Sequence, residues 1–98
     1  MSSNSRPKPR LGTSIEGLPN LGPKSQAMLA SVGITSLAEL RKLGAVAAYA
    51  KTKRANPSAS LNLLWALEGA LTGLAWQEVA RRHRTSLLLA LEAYERGA

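Results

Sequence analysis

Apolar residues return at helical spacing along this chain, and Gly22, Gly33, Gly44 and Gly73 interrupt them. Pro23 suits the first position of a helix, where a missing N–H costs nothing, with Gly22 as its N-cap. That helix runs through Ser25, Ala27, Met28 and Leu29 to about Val32, buries Leu29 and Val32, and ends on Gly33 as a C′ residue. Ile34 follows as an apolar anchor. Ser36 and Glu39 stand at capping-box spacing, so the next helix covers about Ser36 to Leu43 and buries Leu37, Leu40 and Leu43. Arg41 and Lys42 fall on its outer side as a solvated face. Gly44 separates it from a helix over Ala45 to Ala55, with Val46 and Tyr49 turned inward.

Asn56 to Ser60 reads as a loop, with Ser58 or Ser60 as the next cap. In LNLLWALEGAL, Leu61, Leu63, Leu64, Leu67, Ala70 and Leu71 leave almost no polar face, which makes this helix the buried centre. Trp65 belongs to that core or its edge. Glu68 is expected to pair with an Arg or a cap partner, and Gly69 to permit close helix approach. Gly73 to Trp76 reads as a turn. A last helix from Gln77 or Ala80 to Arg96 carries Leu87, Leu88, Leu91 and Tyr94 as its apolar stripe. The pattern predicts an all-α fold, a small bundle of about five helices.

Composition agrees. A chain of 98 residues makes one domain with a single modest core. Its hydrophobic fraction of 45% is rich in Ala and Leu and holds no Phe, which favours helix-on-helix packing over a β-sandwich. Residues 1–14 offer little that packs and read as a disordered basic tail, leaving 15–98 as the helical domain. Ile15 and Leu18 serve as apolar plugs. There is no Cys, hence no disulfide framework and no thiolate metal site. With no secretory signal and no run as long as a membrane span, the expected location is cytoplasmic, away from membranes.

Net charge is +7, from 13 Lys and Arg against six Glu and no Asp. Such a balance suits contact with polyanions, though small basic domains that bind other proteins are common. Lys51, Lys53 and Arg54 are accounted for by the helix dipole at their C-terminal end and could also widen a phosphate-binding patch. Arg81, Arg82 and Arg84 fall in the first turns of the predicted last helix, the wrong end for its dipole. They bind phosphate, answer Glu78 or Glu68, or face a partner protein.

Enzyme chemistry has almost no material here. One His (His83, flanked by arginines and read as a surface or boundary residue), no Cys and isolated Glu residues do not assemble a nucleophile, base and orienter, or a set of metal ligands. No enzyme activity and no cofactor are expected. The stretch from Asn20 to Ser25 has a different chemistry. Backbone N–H groups at a tight turn and a helix start lack intrahelical acceptors, and the positive end of the dipole lies there. Lys24 adds a charge and Ser25 a hydroxyl, so the site suits an anion such as a nucleic-acid phosphate.

LPNLGPKSQAMLASVGI resembles a helix-hairpin-helix motif, with Asn20 where that motif has its first Gly; Asn tolerates the left-handed conformation better than most residues. The motif implies sequence-independent contact with a DNA backbone through hairpin amides. LPNLGPKS, VGITSLAELRKLGAV and SLNLLWALEGALTGLAW together resemble the C-terminal domain of the TfoX/Sxy family, bacterial regulators of DNA-uptake competence, over about residues 15–92. A full regulator of that type also has a preceding N-terminal domain, so this chain reads as the C-terminal domain standing alone.

Two functions follow. One is a non-enzymatic DNA-binding module of the competence or transcription-regulator type. It grips the phosphate backbone non-specifically through Asn20, Gly22, Lys24 and Ser25, assisted by Lys51, Lys53, Arg54, Arg81, Arg82 and Arg84. The other is a protein-interaction module, in which the hairpin is a scaffold and an exposed face docks another regulatory protein.

Overall fold

The computed structural model describes residues 21–97. The tail over residues 1–14, Ile15, Leu18 and Asn20 lie outside the described residues. Six helices follow: α1 Pro23–Ala30, α2 Leu37–Leu43, α3 Ala45–Ala55, α4 Leu61–Thr72, α5 Trp76–Arg82 and α6 Arg84–Gly97. The all-α expectation holds.

Each boundary has a local cause. Gly22 is the N-cap of α1 in an extended conformation, and Pro23 opens the helix. At the other end the Gly33 N–H donates to the Ala30 carbonyl at 3.0 Å and the Ile34 N–H to the Leu29 carbonyl at 2.9 Å. This is a Schellman closure, with Gly33 at φ +84° as the left-handed residue. Leu29 and Ile34, both buried, complete its apolar contact.

The capping box of α2 forms with one shift. The Ser36 hydroxyl accepts from the Glu39 N–H at 3.1 Å. In return the Glu39 carboxylate accepts from the Thr35 N–H at 2.8 Å and the Thr35 hydroxyl at 3.1 Å, one residue before the cap. The Thr35 amide and hydroxyl hold the Glu39 carboxyl below its ordinary value.

Gly44 joins α2 to α3 without a spacer. Its N–H donates to Leu40 at 2.8 Å while its carbonyl accepts from Ala48 at 3.0 Å. One residue thus ends one helix and starts the next. It does so at φ +84° and ψ +159°, a region essentially reserved for glycine.

α4 is the centre. Leu63, Leu64, Trp65, Ala66, Leu67 and Gly69 are all buried. It packs mainly against α5 and α3, and α3 in turn carries α2, α6 and the end of α1. Tyr49 of α3 is buried, and that burial, with the Glu95 carboxylate of α6 adding to it, pushes its phenol up. The Thr52 hydroxyl, fully buried, donates back to the Ala48 carbonyl at 2.7 Å.

Several expectations are corrected. Leu43 and Leu61 are exposed, as is Tyr94. Leu43 sits in the last turn of a seven-residue helix, and Leu61 in the first turn of α4. Val32 is only half-buried because it lies in the turn after α1. Glu68 makes no ion pair among the described residues and remains half-exposed, so solvent takes the place of a partner. Trp76 opens α5 and is not part of the preceding turn. The predicted last helix is two helices: His83, at φ −119° and ψ +7°, ends α5, and α6 starts at Arg84.

Candidate nucleic-acid interface

Lys24 and Ser25 occupy the first turn of α1, Lys24 exposed and Ser25 half-buried. No side chain caps this helix start. The Gln26 N–H reaches the Gly22 carbonyl at 2.9 Å, while the Lys24 and Ser25 N–H groups have no acceptor among the described residues. The Gln26 side-chain amide donates to the Leu21 carbonyl at 2.7 Å, tying the incoming chain to the helix.

A second helix start lies opposite. Ser60 is the N-cap of α4 but makes no side-chain cap bond, and the Leu61 and Asn62 N–H groups have no acceptor among the described residues. Between the two helix starts is a cavity of about 320 Å³. Lys24, Ser25, Ser58, Ser60 and Asn62 supply its polar lining. Met28, Leu63, Ala66 and Trp76 supply the apolar part.

The α3–α4 loop is fixed in place rather than merely connecting. Lys53 Nζ donates to the Pro57 carbonyl at 2.7 Å and the Ala59 carbonyl at 2.6 Å. Asn56 Nδ2 donates to the Thr52 carbonyl at 3.0 Å and to the Ser31 hydroxyl at 3.3 Å, which links the loop to the end of α1.

The other predicted basic residues are spread. Lys51 and Arg54 are exposed on α3, Arg54 in its last turn. Arg81 and Arg82 lie in the last turn of α5, the favourable end for its dipole, and not in a first turn as the sequence pattern suggested. Both answer Glu78: Arg81 bonds one carboxylate oxygen and Arg82 approaches the other at 3.3 Å. The Arg81 hydrogen bond, with Arg82 contributing less, holds the Glu78 carboxyl low. Arg84 is exposed in the first turn of α6. Lys24, Ser25 and the loop held by Lys53 therefore share one cavity, whereas Arg81, Arg82 and Arg84 gather at the far end of α5.

Sequence reasoning missed the cavity residues Ser58, Ser60, Asn62 and Trp76 as a group. The one available signal was the serine-rich loop between two helices, which read only as a cap. Asn20 and whatever precedes it lie outside the described residues, so the first helix of a hairpin motif is not described.

Residues 12–91 match the family model described as the TfoX C-terminal domain. The chain belongs to this family. It is 35% identical over 74 residues to the "DNA transformation protein TfoX" of Haemophilus influenzae, covering 76% of this chain and 34% of that protein. The chain thus spans about a third of that relative's length. In three dimensions it matches the crystal structure of an uncharacterized protein from Listeria monocytogenes with a TM-score of 0.72 and 27% identity. That match covers 84% of this chain and 93% of the other.

Proposed function

We propose that this chain is a non-enzymatic DNA-binding module of the competence or transcription-regulator type, gripping the phosphate backbone without reading sequence. The observation that carries this is the start of α1: no side chain caps it, and beside the Lys24 ammonium the Lys24 and Ser25 amides have no acceptor among the described residues. Such groups favour a phosphate oxygen through both donors and dipole. The name of the H. influenzae relative, a DNA transformation protein, supports the same direction. Gly22, Lys24 and Ser25 form the grip, with Asn20 on the preceding chain. Lys51 and Arg54 broaden the positive field, and Lys53 acts from behind, through the loop it holds. Arg81, Arg82 and Arg84 form a separate basic end. Phosphate contacts position a protein but carry no base information, so affinity is modest and salt-dependent.

The test is fluorescence anisotropy with a labelled duplex at low and moderate salt, on wild type and Lys24→Glu. Wild type binds with a clear salt slope and Lys24→Glu loses most of it. If wild type does not bind even at low salt, α1 is a scaffold and the module docks another regulatory protein. The exposed Leu43, Leu61, Leu89 and Tyr94 are the apolar residues such a partner would meet.

A further inference from the structure

We infer that the cavity between α1, α4 and α5 is a subsite for one unpaired nucleotide, its phosphate at the Lys24 rim and its base against Trp76. This rests on the DNA-binding reading above and extends it from backbone contact to a preference for unpaired strands. A phosphate on a helix start needs no cavity behind it. Here there is one, of about 320 Å³, at the lower end of the range of small-ligand pockets.

Its two sides differ in chemistry. Lys24 supplies the cation at the rim, and Ser25, Ser58, Ser60 and Asn62 supply hydroxyl and amide groups beside it. The walls behind are Leu63 and Ala66, both buried, with Met28 and Trp76 half-buried. An occupant that satisfies both sides joins an anion to a flat apolar body, which is the chemistry of a nucleotide. A paired base is stacked on both faces and cannot enter, so the occupant comes from a strand end, a gap or a single strand. An indole offers any base a π-face, so the subsite tolerates sequence.

The walls are preset. Lys53 clamps the Ser58-bearing loop through two carbonyls, and Asn56 ties that loop to Ser31 at the end of α1. The cavity therefore exists before a ligand arrives, which lowers the ordering cost of binding.

The two tryptophans make the test direct. Trp65 is only 4% exposed and Trp76 is half-buried in the cavity wall, so a ligand there quenches Trp76. The 98-residue chain is titrated with a short oligothymidylate and with a blunt duplex, as wild type, Trp76→Leu and Trp76→Phe. Oligothymidylate quenches the wild-type emission. Trp76→Leu lowers the single-strand to duplex affinity ratio by about tenfold, the size of one lost base stack. Trp76→Phe, which keeps a ring face, retains most of that ratio and serves also where Trp76→Leu fails to fold. Ser58→Leu, at an exposed position on the rim, narrows the mouth and lowers the same ratio.

If oligothymidylate leaves the emission unchanged, or if the ratio is indifferent to Trp76→Leu, the subsite is overturned. Duplex binding in the same titrations then shows whether the backbone reading still stands. If a short acidic peptide ending in Phe quenches Trp76 and oligothymidylate does not, the inference is again overturned, in favour of a peptide carboxylate.

Discussion

Lys53 donates to the Ala59 carbonyl across the α3–α4 loop, at 2.6 Å, and to Pro57 at 2.7 Å. Ala59 is buried, so its carbonyl has little access to water and needs this donor. Lys53→Met keeps the aliphatic stem and removes the donor. It is expected to cost about 1.5–3 kcal/mol, the range for hydrogen bonds to a charged group. Lys51→Met, one helical face away and exposed, is expected to change stability by less than about 0.5 kcal/mol. Urea unfolding of both variants checks the difference. Equal effects would mean that the loop does not depend on Lys53.

The centrality of α4 is tested by comparing three leucines. Leu67 is fully buried, so Leu67→Ala is expected to cost about 2–5 kcal/mol. Leu43→Ala and Leu61→Ala, at exposed positions, are expected to cost well under half of that. Thermal unfolding by circular dichroism ranks them. A Leu67→Ala variant that melts with the wild type would remove Leu67 from the core.

Gly44 is shared by α2 and α3, in a backbone region that a Cβ strains. Gly44→Ala meets no neighbouring atom, so its penalty is conformational and not steric crowding. The expected loss is about 1–3 kcal/mol. A neutral Gly44→Ala in denaturant titration would show that the α2–α3 junction can relax.

Stability falls in acid for a stated reason. The Glu39 and Glu78 carboxyls sit below the ordinary value in the folded chain, through the Thr35 donors and Arg81 respectively. Depressed folded values contribute stability that is present above the unfolded Glu value and is lost as pH falls through the folded one. Midpoints measured from neutral pH down past that range should drop more for wild type than for Glu39→Gln/Glu78→Gln. The Gln side chains keep an oxygen acceptor but do not titrate. Parallel curves would assign the acid sensitivity elsewhere.

The fold was legible because its punctuation is chemical. Pro23, Gly33, Ser36 and Gly44 each set a boundary through a requirement of their own backbone or side chain. The unbroken apolar run from Leu61 to Leu71 could only be central. The break at His83 was not legible, since neither Gly nor Pro marks it and Arg81 to Arg84 all tolerate a helix. That break also moved Arg81 and Arg82 from a helix start to a helix end. The cavity was hidden for another reason. Its walls come from α1, the α3–α4 loop, α4 and α5, and no local pattern records which residues meet across four segments.

The break at His83 also divides the molecule by lability. α6 touches the rest through α3 and, more lightly, α5; Leu87 and Leu91 are its only buried side chains, and no residue of it lines the cavity. Its opening should therefore cost less than that of α4, and its amides should exchange with deuterium well before those of α4. Detachment of α6 takes the Glu95 carboxylate away from Tyr49 while the walls around Lys24 and Trp76 stay assembled, so the C-terminal end can breathe without disturbing the cavity.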